Sequence, residues 1–269
     1  MSGTPTREIT SPAHPLVKVY RSALEEGTTR EGWLAVEGPF LVEEALAAPD
    51  VRAQSVLVAS SAAEKFASLL ARIPVAVEIA QVPDRLFERV AQTQSPQGIA
   101  ALVELPKYEL EPLLAERQVL LLVACRVQDP GNLGTMMRSA LAFSATALLT
   151  LRDTVSPFNP KTVRSSAGAI FRLPIVCGLD PNESMPLLGR RVRVVAADRH
   201  SPSPLWQADL TGPLAILVGR EATGLPDEIA RYANQLLSIP IQEEVDSLNA
   251  ATAASIFLYE TARQRGFRY

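Results

Sequence analysis

Cysteine is nearly absent: Cys125 and Cys177 are the only two in 269 residues. Neither sits in a CxxC pair or at ligand spacing from a histidine. This argues against a disulfide framework and a structural zinc site, and it makes a reducing cytoplasm the expected compartment. Histidine is as scarce. His14 precedes Pro15 and His200 lies in a Pro/Ser loop. Neither has a nucleophile at a recognisable spacing, which disfavours a hydrolase triad. No apolar run approaches the ~18 residues of a membrane helix; the longest, 119–125 and 145–151, are strand-sized. The N-terminus is polar, without the apolar stretch of a signal peptide. The GxGxxG and GxxxxGK[ST] fingerprints are missing, which counts against a nicotinamide-dependent oxidoreductase. An excess of positive charge is missing too, since the net charge is −3.

What is present reads as ordinary globular composition, 47% hydrophobic and 20% charged. The charge is unevenly spread. Residues 1–110 carry ten Lys/Arg against fourteen Asp/Glu, a balance of −4. Residues 111–269 carry sixteen against fifteen, +1, and fifteen of those cations are Arg, with Lys161 the only Lys. Arg suits phosphate through its planar fork, although a GC-rich genome would give the same bias.

Hydrophobic periodicity predicts helices over 14–26, 40–48, 62–71 and 83–91, with strands over 33–36, 55–59, 75–79 and 99–103. Residues 105–114, with two prolines and three charges, read as a linker. Beyond it, strands are expected over 119–124, 147–151, 193–197, 215–218 and 236–239, with helices over 133–143, 161–169 and 247–265. Such alternation argues a mostly parallel sheet with helices on both faces.

Three loops follow predicted strands, where open α/β sheets bind ligands. In the first, Asp129-Pro130-Gly131-Asn132 makes a turn, Asn132 is a candidate N-cap, and Arg138 lies between one and two turns up the helix. In the second, Gly219 and Gly224 flank Arg220-Glu221. Gly219 permits close backbone approach, and Glu221 could accept from a hydroxyl or orient an Arg. In the third, Ile239-Pro240-Ile241 leads through Glu243-Glu244 to Asp246, Ser247, Leu248 and Asn249. There Asp246 or Ser247 could cap an Ala-rich helix, while a buried Asn249 would need a partner. Between the first two, Lys161 and Arg164 share one helical face, and Arg172 follows. Each loop alone is equally ordinary turn chemistry.

Their order and combination are distinctive. DPGNLGTMMRSA, LVGREATGLPDEI and IPIQEEVDSLNAATAASIFLYE resemble the three motifs of the SpoU-type (TrmH-like) RNA ribose 2′-O-methyltransferases of the SPOUT superfamily. NPKTVRSSAGAIFRLPI resembles that family's segment between the first two. ITSPAHPLVKVYR, WLAVEGPFLVEEAL and TQSPQGIAALVELP resemble its substrate-binding domain. The resemblance implies an α/β protein. A small N-terminal α/β substrate-binding domain, 1–105, and a linker, 106–114, would precede a SPOUT domain, 115–269, with a parallel sheet and a deep trefoil knot. It implies S-adenosylmethionine held by backbone at Gly219, Ile239 and Leu248, and a catalytic set of Arg138, Asn132, Glu221, Ser247 and Asn249. Lys161, Arg164 and Arg172 would contact RNA, ribosomal or transfer, and the enzyme would be a cytoplasmic homodimer without membrane or metal. Arg220 stands where the family commonly has Asn, and Glu243-Glu244 where its third motif usually has a glycine. These departures also fit a module that keeps the fold and binds RNA without transferring methyl.

Overall fold

The computed structural model describes residues 6–220 and 224–267. The chain divides into two compact units, one of residues 1–106 with 158–164, the other of 107–157 with 165–269.

The first unit is built on five strands: β1 (Thr6–Glu8), β2 (Leu34–Glu37), β3 (Arg52–Ala59), β4 (Glu78–Val82) and β5 (Ile99–Glu104), in the order β1-β4-β3-β5-β2. β1, β4 and β3 run parallel, whereas β5 is antiparallel to both β3 and β2. Helices α1 (Pro15–Glu26), α2 (Pro39–Ala47), α3 (Ala67–Leu70) and α4 (Asp84–Glu88) connect them. α1 starts at a proline whose missing N–H is no loss, with His14 Nδ1 accepting from the Leu16 N–H at 3.2 Å. Val17, Tyr20, Ala23 and Leu24 share its buried face. The Tyr20 hydroxyl, fully buried, donates to the Ser55 carbonyl at 2.8 Å. The helix expected over 62–71 is a single 3-10 turn, Ser60–Ala62, followed by the short α3. The strand expected at 75 starts instead at Glu78, because Pro74 opens a turn closed by the Val77 N–H on its carbonyl and leaves Val75 72% exposed.

The second unit holds six strands, all parallel: β6 (Leu120–Ala124), β7 (Ala147–Leu151), β8 (Ile175–Leu179), β9 (Arg193–Ala197), β10 (Leu214–Val218) and β11 (Gln235–Leu237). Their order is β11-β9-β10-β6-β7-β8. β6, β7 and β10 are buried throughout, as strands covered on both faces are. Its helices are α5 (Leu110–Leu113), α6 (Pro130–Ala142), α8 (Pro181–Gly189), α9 (Asp227–Ala230) and α10 (Ala250–Gln264); the short α7 (Pro160–Ser165) lies almost wholly in the segment that clusters with the first unit. The stretch expected as a linker contains α5, whose Leu110 and Leu113, with Leu114, are buried in this unit's core. β8 and α8 were not expected: β8 is an edge strand with Cys177 and Gly178 exposed, and α8 carries Pro186 inside it. α7 stops at Ser165 rather than 169 because Ala167 and Gly168 take positive φ values of 48° and 85°. Among the described residues no helix is long and apolar enough to cross a membrane.

Candidate functional site

A cavity of about 780 Å³ opens at the C-terminal ends of β9, β10 and β11. Each strand supplies its wall through described residues that follow it: Asp198–His200, then Gly219, Arg220, Gly224 and Leu225, then Ile239 and Ile241; the stretch 246–248 and Ala250, Ala253 and Phe257 of α10 close it. This is the strand-end crevice where open α/β sheets hold ligands. Small side chains, Ala250 and Ala253, keep the α10 wall low.

Gly219 is buried in that wall. A Cβ at this position would run into the Gly224 carbonyl and come within 2.7 Å of the Leu225 nitrogen. The two glycines meet because Arg220 and Gly224 exchange backbone hydrogen bonds of 3.1 and 2.8 Å, pinching the loop at its base. Glu221 lies inside that loop and outside the described residues. The backbone groups of Gly219, Ile239 and Leu248 make no hydrogen bond to any described residue. The cavity therefore presents neutral donors and acceptors without partners, in a concave site of the size small molecules occupy.

Of the expected catalytic residues, Ser247 lines the cavity. Asn249 is exposed rather than buried, and it, not Asp246 or Ser247, caps α10. Its Oδ1 accepts from the Ala251 and Thr252 N–H groups at 2.9 and 3.2 Å. The helix accordingly begins at Ala250, three residues after the expected start. The Asn249 amide donates through Nδ2 to Asn132 Oδ1 at 2.8 Å, joining residues 117 positions apart. Asn132 is not a cap either. α6 begins at Pro130 with Asp129 as N-cap, its Oδ1 accepting from the Asn132 N–H at 2.9 Å. α6 and α10 also meet through the Ser139 and Ser255 hydroxyls, 2.7 Å apart.

This longer α6 moves Arg138 to just over two turns from the helix start, and about 9 Å along the axis from Asn132 at 1.5 Å per residue. Arg138 is exposed, makes no hydrogen bond or ion pair with a described residue, and does not line the cavity. Lys161 and Arg164, both exposed on α7, belong to the segment clustered with the first unit, whereas exposed Arg172 follows the 3-10 turn Ala169–Phe171 in the second.

Sequence reasoning missed the loop after β9. Asp198, Arg199 and His200 line the cavity, with Asp198 Oδ1 accepting from the His200 N–H at 2.9 Å. The only signal was a polar stretch trailing a strand. His200, set aside because no nucleophile stands near it in sequence, is thus one of the residues that line the cavity. Among the described residues no group of three or more His, Cys, Asp or Glu is placed to hold a metal ion.

Comparison with known proteins gives a consistent picture. Residues 119–259 match the model of the SpoU rRNA Methylase family, and residues 35–109 match a model described as RNA 2′-O ribose methyltransferase substrate binding. The chain is 34% identical over 207 residues to a 23S rRNA (uridine(2479)-2′-O)-methyltransferase of Streptomyces viridochromogenes, covering 75% of this chain and 72% of that one. It is 32% identical over 235 residues to a 23S rRNA (guanosine(2553)-2′-O)-methyltransferase of Bacillus subtilis, covering 86% and 89%. Among solved structures, an AdoMet-bound rRNA methyltransferase from Sinorhizobium meliloti superposes with a TM-score of 0.82 at 30% identity, covering 96% of this chain and 98% of that one.

Proposed function

The chain belongs to the SpoU rRNA Methylase family, and from that premise we propose that it methylates a ribose 2′-hydroxyl of 23S ribosomal RNA with S-adenosylmethionine as donor. The observation that carries this reading is the strand-end cavity in which the backbone groups of Gly219, Ile239 and Leu248 have no partner among the described residues.

The residues present fit that cofactor. An adenosyl group needs neutral donors and acceptors along a flat edge, and Gly219, Ile239 and Leu248 offer backbone N–H and C=O. The absence of a Cβ at Gly219 lets the backbone of Gly224 and Leu225 close against it, which fixes the loop that carries this edge. S-adenosylmethionine supplies a methyl group on a sulfonium, a leaving group that asks nothing of a metal. The protein must place the ribose oxygen in line and stabilise the alkoxide that develops there. Arg138 takes that role as a cation, since a neutral guanidine is very costly near pH 7. It holds the adjoining phosphate and lowers the pKa of the hydroxyl. The Asn132–Asn249 hydrogen bond ties the start of Arg138's helix to the stretch that carries Leu248, and so orients the two together. Ser247 and Glu221 complete the polar set, Glu221 on the resemblance alone.

In this reading residues 1–105 bind the RNA substrate and residues 115–269 form the methyltransferase domain with its trefoil knot. Arg138 stands outside the lining of its own chain's cavity, which supports a homodimer in which the partner subunit completes each site. Lys161, Arg164 and Arg172 contact RNA phosphates. The substrate also sets the compartment, the cytoplasm. Mapping 2′-O-methylated positions in total RNA with and without the gene tests the proposal: one ribosomal position should lose its methyl group, and an unchanged map would refute it.

A further inference from the structure

We propose that one rim of the first unit's sheet reads unpaired RNA bases, with Phe40 as a stacking platform and the amides of Gln92 and Gln94 reading base edges. This rests on the RNA reading above. Because β5 runs antiparallel to both β2 and β3, the ends of β2, β3 and β4 and the start of β5 lie at the same rim. The registers pair Glu37 with Ala100, Val58 with Ile99 and Ala59 with Val82. Residues 92–98, QTQSPQG, return the chain across this rim.

That loop is held by a carboxylate the transfer chemistry does not use. Glu37, at the end of β2, is 8% exposed and accepts from the Gln92 N–H at 2.8 Å and from the Thr93 hydroxyl. Burying a carboxylate is costly unless its oxygens are satisfied, so its two acceptors define where residues 92 and 93 sit. At the other end Gly98 takes φ +80°, and a Cβ there would fall 2.6 Å from that of Ala62. The loop is thus fixed at both ends, with its polar side chains left outside. The Gln92 and Gln94 side chains are exposed and bond to no described residue. The Gln97 oxygen takes Lys65 Nζ at 3.4 Å. Phe40, at the start of α2, is 55% exposed, two residues past Gly38, whose N–H bonds the Ile99 carbonyl at 2.9 Å.

The chemistry selects the ligand. A primary amide carries donors and an acceptor in one plane, matching base edges bidentately, and an exposed ring offers a face on which any base can stack. Both groups are neutral. Residues 1–110 carry a balance of −4, which disfavours phosphate as their target. Sequence-specific RNA recognition is directed at unpaired loops and bulges, whose bases are free to splay onto such surfaces.

The test is steady-state transfer of tritiated methyl from S-adenosylmethionine to an unmodified 23S rRNA transcript by the full chain. RNA affinity is measured beside it across a salt series. Phe40→Ala and the double variant Gln92→Ala/Gln94→Ala should each raise KM for RNA, roughly ten-fold for the ring. The changes should fall on KM rather than kcat, leaving the salt slope of binding as in the parent protein. Glu37→Gln, which removes one strong acceptor from the loop, should move KM in the same direction. Parental KM in both Phe40→Ala and the double amide variant would overturn the proposal, and so would a flattened salt slope, which marks phosphate contacts. Failure of the parent protein to transfer methyl at all would instead remove the RNA reading, and this surface with it.

Discussion

The two units reach their working surfaces by different strand arithmetic. In the first, antiparallel β5 brings a strand start to the rim where β2, β3 and β4 end, so a seven-residue return, 92–98, is enough to furnish that rim. In the second, all six strands are parallel, and only C-terminal ends reach the rim. Parallel neighbours need crossover connections, so several long loops leave from one edge, and the space between them becomes a cavity of about 780 Å³. A mixed sheet thus makes a firm surface, suited to a large ligand that docks. A parallel sheet makes a crevice, suited to a small one that is enclosed.

That contrast is broken most sharply at Arg138. Arg138→Ala should lower the rate of methyl transfer by ~10²–10³, the usual cost of losing one preorganised charge at a developing oxyanion. It should leave S-adenosylmethionine affinity near the parental value, because Arg138 is outside the cavity lining. A transfer assay run beside a cofactor titration checks both. The converse is Gly219→Ala. Its Cβ would meet backbone of Gly224 and Leu225, and overpacking of this kind costs ~1–3 kcal/mol. Calorimetry should show cofactor affinity reduced about ten-fold or more, while RNA binding by the first unit is unchanged.

A smaller effect separates the units by pH. Burial raises the pKa of Tyr20 in the first unit and of Cys125 in the second, that of Cys125 to about 11. A raised folded value means the neutral form is favoured on folding. The stabilisation is complete below the unfolded thiol value of ~8.5 and is lost as pH climbs toward 11. The thermal midpoint should fall over that window, and Cys125→Ala should flatten the fall. The smallest change expected is at Arg164, exposed on α7. Arg164→Ala should weaken RNA binding and reduce the slope of log K against log salt by about one unit or slightly less, without the KM signature of Phe40→Ala.

The sequence was legible where burial writes itself into a run of residues. β6, β7 and β10 are covered on both faces, so their apolar stretches stand out. β8 was hidden because an edge strand with exposed Cys177 and Gly178 has no such run. Helix starts were misplaced by up to three residues at α6 and α10, since Asp129 and Asn249 compete with equally good capping residues beside them. Gly219, Ile239, Ser247 and Leu248 were found through motif order, and they do gather round one cavity. What periodicity could not reveal were partnerships across sequence. Asn249 meets Asn132 across 117 positions, and Glu37 meets Thr93 across 56. The loop 198–200 has no pattern of its own, and only the pairing of β9 with β10 and β11 brings it to the cavity.

The most direct measurement is the chemical location of the transferred group. Unmodified 23S rRNA is incubated with the protein and tritiated S-adenosylmethionine, digested to nucleosides and separated. The roles proposed for Arg138 at the ribose and for the backbone of Gly219, Ile239 and Leu248 at the cofactor predict label in a single 2′-O-methylnucleoside. Label in a base-methylated nucleoside, or cofactor bound with the RNA left unlabelled, would contradict it.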